Sequence, residues 1–115
     1  MRNFLTLEFW KRSHLFILKI YNITQSFPKD EMFGLTSQIR CSSSSILTNI
    51  AEGAGRNTNH QFLHFLQIAS GSCSEIQYQL ILSKDLSYIS EDVFNKLHLE
   101  IIEIRKMIFQ YLPKF

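Results

Sequence analysis

With 115 residues the chain has room for one domain with a buried core and none for a separate regulatory module. Hydrophobic residues make up 45% of it, and ten residues are phenylalanine, which excludes a disordered tail and leaves more apolar surface than a small monomer hides. Twelve basic against ten acidic side chains give a formal charge of +2, a slight lean toward polyanions that excludes a strongly basic or acidic module.

From Thr6, residues Leu7, Trp10, His14, Ile17 and Tyr21 recur at helical spacing, with Leu15 and Leu18 widening the stripe. This predicts a core-facing helix over about 6–26, N-capped by Thr6, with Phe9, Phe16 and Ile20 on an outer face. The pattern breaks at Ser26-Phe27-Pro28-Lys29-Asp30-Glu31, and Pro28 suits the first turn of a second helix over about 28–53. Gly53 is expected to close that helix in the left-handed conformation, with Gly55 a further joint.

The second helix is the centre of the chain. Leu35, Ile39, Ser42, Ile46, Ile50 and Gly53 share one face, but the four serines at 42–45 together cost roughly 2 kcal/mol against alanine. Burying Ile39, Ile46 and Ile50 at about 1.5–3 kcal/mol each outweighs that cost, so packing rather than propensity makes this helix.

Thr58 with Gln61 is a capping box that opens a third helix over about 58–87, carrying Phe62, Phe65, Leu66, Ala69, Cys73, Ile76 and Leu80. Its middle is small. Ala69, Gly71 and Ser72 there, with Ser42 and Ser45 on the second helix, form a waist where the two backbones are expected to approach most closely; Gly71, costing about 1 kcal/mol in a helix, is explained by that contact. Ser90, Glu91 and Asp92 start a fourth helix over about 90–112, with Phe94, Leu97, Ile101, Ile104, Ile108 and Tyr111 in its seam and Pro113 ending it. The sum is an all-α, antiparallel up-down-up-down four-helix bundle in a single domain spanning 1–115. Apolar residues off the seams, including Ile102, Phe109 and Leu112, predict a homo-oligomer.

Cys41 and Cys73 have no paired-ligand spacing and read as free thiols. Charges at Glu8, Lys11 and Arg12 interrupt any leader, and no run approaches the ~20 apolar residues of a membrane span, so a cytoplasmic location without membrane contact is expected. His60 and His64 have the i, i+4 spacing of two zinc ligands but no third ligand nearby, so no metal or cofactor site is assigned. His14 reads as a core histidine, and the serine run lacks any nucleophile motif. With no convergent nucleophile, base and stabiliser, the chain reads as a non-enzyme. Asn49, Glu52 and Gly53 read as a polar lock at the end of the second helix, with Arg56 or a facing helix terminus as the carboxylate's partner. For phosphate contacts the basic candidates are Lys11, Arg12, Lys19, Arg40 and Arg56, led by Lys11, Arg12, Arg40 and Arg56, with Tyr21 nearby as a stacking group and Trp10, on the core stripe, reading as packing before stacking, while Glu8–Arg12 and Asp92–Lys96 pairs would neutralise part of the charge.

These residues carry a resemblance that spans nearly the whole chain. The blocks are Trp10-Lys11-Arg12-Ser13-His14-Leu15, Phe27-Pro28-Lys29-Asp30-Glu31, Gly34 to Arg40, Asn49-Ile50-Ala51-Glu52-Gly53, Gly55-Arg56, Phe65-Leu66 and Gly71-Ser72, the Asn-Ile-Ala-Glu-Gly block being the most specific. The chain resembles the four-helix bundle proteins encoded in intervening sequences of bacterial 23S ribosomal RNA genes. That resemblance implies homopentameric rings and, through related accessory proteins of diversity-generating retroelements, binding of RNA or DNA and of a reverse transcriptase. The alternative is a protein–protein assembly module with no direct nucleic-acid contact. Cys41 and Ser70 stand where the family usually or often has arginine, Leu47 where proline is common and Gln61 where glutamate is usual.

Overall fold

The computed structural model describes residues 3–111, so the expected roles of Leu112 and Pro113 lie outside the described residues. Four helices account for most of them: α1 (Glu8–Thr24), α2 (Leu35–Ala54), α3 (Asn59–Asp85) and α4 (Glu91–Tyr111). Each packs on its neighbours in sequence and α4 closes on α1, with α2 and α3 sharing the most extensive interface. The up-down alternation shows at both ends. At one end Phe9 of α1 and Phe62 of α3 meet Tyr111 at the end of α4, with ring centroids 5.4 and 5.8 Å apart. At the other, Tyr88 after α3 donates to the Glu31 carboxylate (2.8 Å) and packs on Phe27, joining the two connections there.

One core runs the length of the bundle: Ile39, Ile46 and Ile50 of α2 pack with Phe62, Leu66 and Ile76 of α3 and the Ile101, Ile104 and Ile108 row of α4. The longest dimension, 43 Å, is close to the ~40 Å that the 27 residues of α3 span at 1.5 Å each.

Helix α1 turns a different face inward from the expected one. Phe9, Ser13, Phe16, Ile20 and Thr24 are buried, while Leu15 and Leu18 are more than half exposed and His14 lies outside, stacked on Trp10. Two registers compete on this apolar-rich helix, and the rejected one would bury His14 and the Tyr21 phenol, which need partners. The chosen one buries only hydroxyls that satisfy themselves on the preceding turn, Ser13 on the Phe9 carbonyl (2.6 Å) and Thr24 on that of Ile20 (2.7 Å). Thr6 does not cap α1: it closes a short 3-10 turn over Phe4–Thr6, and Leu7 occupies the cap position.

Helix α2 begins later than Pro28. Pro28 opens a separate 3-10 turn over Lys29–Glu31, and the backbone of Gly34 leaves the helical region before Leu35. Glu31 serves as the cap, its Oε1 accepting from the Leu35 N–H at 3.2 Å. At the far end Gly53 is helical, and no described glycine has a positive φ. Its missing side chain serves contact instead: a Cβ there would stand 2.7 Å from Phe65 Cβ and 2.9 Å from Phe62 Cδ1.

Thr58 caps α3 by accepting from the Gln61 N–H (3.1 Å), and Ser90 caps α4 by accepting from that of Val93 (3.2 Å). At the end of α3, Ser87 takes a left-handed conformation (φ 64°), with its own N–H and that of Tyr88 donating to the Lys84 and Ser83 carbonyls, a Schellman closure.

Candidate nucleic-acid interface

Ser42 and Ala69 are buried between helices, and the Ser72 hydroxyl donates to Ser45 Oγ at 2.9 Å, bridging α3 to α2. Gly71 lies elsewhere: it faces solvent, a Cβ would meet nothing within 4 Å, and close packing does not explain it. The serine hydroxyls are spent on structure. Ser43 donates to the Ile39 carbonyl at 2.7 Å and Ser44 to that of Cys41 at 3.1 Å.

Asn49 and Glu52 do not share one network. Asn49 turns back along its own helix, donating to the Ser45 carbonyl (2.8 Å) and hydroxyl (3.0 Å), while Glu52 is exposed and pairs with Arg56 at 2.5 Å. The carboxylate therefore lies in water rather than partly buried.

The four candidate cations fall into two groups. Lys11 is exposed and Arg12 half-buried near the start of α1, where Arg12 Nη1 reaches Met107 Sδ of α4 at 3.9 Å. Arg56 belongs to the same end of the bundle; its guanidinium lies 4.8 Å from the Phe65 ring centroid and is partly neutralised by Glu52. Arg40 stands at the other end, level with Thr24, twelve residues or ~18 Å along α1 from Arg12.

Arg40 is the most constrained of the four. Its Nε donates to Thr24 Oγ1 at 2.8 Å, and its Cζ lies 4.7 Å from the centre of the Tyr21 ring. Thr24 can accept because its own proton goes to the Ile20 carbonyl. Among the described residues no carboxylate comes within 4 Å of Arg40, Lys11 or Arg12, and neither Glu8–Arg12 nor Asp92–Lys96 closes. The ion pairs that do form are Lys19–Glu100 between α1 and α4, Glu52–Arg56 and Lys84–Asp85. Cations missed from the sequence are Arg105 and Lys106, adjacent on the outside of α4, where they line an open groove of about 590 Å³ floored by Ile102 and Phe109. The Arg-Lys pair was its only signal.

His60 and His64 are exposed, and among the described residues no group of three or more His, Cys, Asp or Glu could hold a metal. His98 is half-buried, stacked on Phe94 and hydrogen-bonded to Gln77 at 3.2 Å. Burial pushes the Cys73 thiol up to about 12, against a lesser opposing pull from Arg105, whereas Cys41 is exposed. None of the described helices is long and apolar enough to cross a membrane.

A family model described as 23S rRNA-intervening sequence protein matches residues 6–110. The chain belongs to that family. Among solved structures, a protein of unknown function from the S23 ribosomal protein family of Bacteroides thetaiotaomicron is similar to this intervening-sequence protein, with a TM-score of 0.83 at 24% identity over 91% of this chain and 95% of the other. At that identity the likeness establishes the bundle fold. No curated protein matches the chain.

Proposed function

We propose that this intervening-sequence protein is a non-enzymatic, cytoplasmic, oligomeric scaffold that binds structured RNA or DNA through Lys11, Arg12 and Arg40, with Arg56 weakened by its pairing to Glu52. The observation that carries this reading is Arg40, a half-buried guanidinium held in place by a hydroxyl and a ring, without a carboxylate among the described residues. A buried or half-buried cation gains most when an anion completes it, and the forked donors of arginine fit phosphate oxygens. The family's description, which ties its members to 23S rRNA intervening sequences, supports an RNA ligand. Family resemblance supports a homopentameric ring, with a reverse transcriptase as the protein that such a scaffold would hold.

The second reading, an assembly module whose partner is protein, is favoured by exposed apolar side chains: Phe33 is 93% exposed, Leu99 69% and Phe109 61%. Filter binding of a structured ribosomal RNA fragment at about 50 and about 200 mM salt separates the two. Retention at low salt that drops steeply at the higher salt is expected. No retention at low salt, or retention that ignores salt, leaves the assembly module standing.

A further inference from the structure

Two open clefts of about 250 and 270 Å³ share Arg40, Met32 and Thr36 in their walls. The first is walled by Tyr21, Ser37, Cys41 and Ser44, the second by Thr24 and Lys29. Each falls below the ~300 Å³ at which pockets for drug-sized molecules begin, so the pair suits a small flat group and its neighbour rather than an enclosed cofactor. We propose that this double cleft takes an unpaired nucleotide, its phosphate on the Arg40 fork and its base against the Tyr21 ring. The inference rests on the nucleic-acid reading and narrows it to one site and one strand state.

The donors favour phosphate. Of the five N–H groups on Arg40, Nε is committed to Thr24, which fixes the plane of the guanidinium and leaves the Nη groups without an ion-pair partner among the described residues. Lys29 adds a second cation to the lining of the second cleft. Glu31 lines neither cleft and is held elsewhere, one oxygen accepting from the Leu35 N–H and the other from the Tyr88 hydroxyl. Asp30, exposed on the same connection, lines neither cleft.

The ring favours an unpaired base. Tyr21 is 45% exposed and already pairs with the guanidinium, so a base entering the first cleft extends a stack that exists. Bases inside a duplex have no free face to offer, whereas single strands and loops bind by stacking on aromatic and arginine planes. An acidic peptide would engage the fork but leave the ring unused.

The test is fluorescence anisotropy on the full chain with three probes: a short oligouridylate strand, an RNA duplex of equal length and a polyglutamate peptide. The single strand is expected to bind most tightly. Tyr21→Ala, at an exposed position, should weaken it about fivefold or more while leaving the duplex unchanged. Arg40→Lys, which keeps the charge and loses the fork, should weaken it several-fold. Equal affinity for single strand and duplex, with Tyr21→Ala silent, overturns this site and leaves the nucleic-acid reading intact. No binding to either RNA overturns both, and tighter binding of polyglutamate replaces the nucleotide with an acidic protein. A readout on the unaltered chain uses the exposed Cys41 thiol in the cleft: saturating oligouridylate should slow its alkylation severalfold, and an unchanged rate overturns the proposal.

Discussion

Two glycines show how differently one residue type is used in this chain. Gly53 sits where α2 meets the start of α3 and has no room for a methyl group, because Phe62 and Phe65 already stand within 3 Å of where it would go. Gly53→Ala should therefore destabilise the fold by about 1–3 kcal/mol, as overpacking does, in urea denaturation. Gly71 faces open solvent in mid-helix, and Gly71→Ala should stabilise by about 0.5–1 kcal/mol. Equal effects from the two substitutions would contradict this packing. Sequence spacing put both glycines in the helical seam, but only the three-dimensional register distinguishes a glycine under a phenylalanine from one facing water.

The buried thiol makes a second prediction at this scale. In the folded chain Cys73 holds its proton up to about pH 12, against 9.0 in the unfolded chain. Between those values the unfolded state binds fewer protons, so stability is complete below about pH 9 and falls as pH rises toward 12. The Tyr88 phenol, held up chiefly by its hydrogen bond to Glu31, acts in the same direction. Urea denaturation at about pH 8 and about pH 11 should show this loss, and Cys73→Ala should shrink it. An unchanged loss in the variant would contradict the burial of the thiol.

At the scale of elements, α3 and α4 were legible in the sequence because each has a capping residue and one dominant apolar stripe, from Phe62 to Leu80 and from Phe94 to Ile108. The inward face of α1 was not, since apolar residues all but surround it and the choice turns on which polar groups can be buried cheaply. Ser13 and Thr24 can; His14 and Tyr21 cannot. Phe16→Ala should accordingly cost about 3–5 kcal/mol, and Leu15→Ala no more than about 0.5 kcal/mol, in thermal or chemical unfolding. The reverse order would restore the rejected register. The start of α2 was misplaced for a related reason: Pro28 does open a helical turn, but Glu31 and Gly34 end it, and the Glu31 carboxylate then caps the helix that follows.

At the scale of the whole molecule, cations and exposed apolar side chains share surface, as Arg105 and Lys106 do with Phe109, and Arg40 and Lys29 with Met32. Legibility of the candidate interface was partial: the sequence supplied Lys11, Arg12, Arg40 and Arg56 and, by i, i+4 spacing, the pairing of Arg56 with Glu52, but the spread of these cations over two ends of a rod follows from helix direction. Bare apolar side chains remain on the α1–α2 connection and on α4, led by Phe33 and Leu99. Light scattering at micromolar concentration should return a multiple of the 13.5 kDa chain mass, and the mass of one chain would contradict the oligomeric scaffold.

The central claim is that uncompensated arginine and lysine side chains hold phosphates, and the slope of log affinity against log salt for a structured RNA tests it most directly. Each phosphate contact contributes a slope of about −0.7 to −0.9, so the unaltered chain should give a steep negative line, made shallower by about one in an Arg40→Ala variant and by about 1.4 to 1.8 in a Lys11→Ala/Arg12→Ala double variant, each unfolding at the same temperature as the parent. A flat line, or one that the lost cations leave unchanged, would mean that these side chains meet no phosphate.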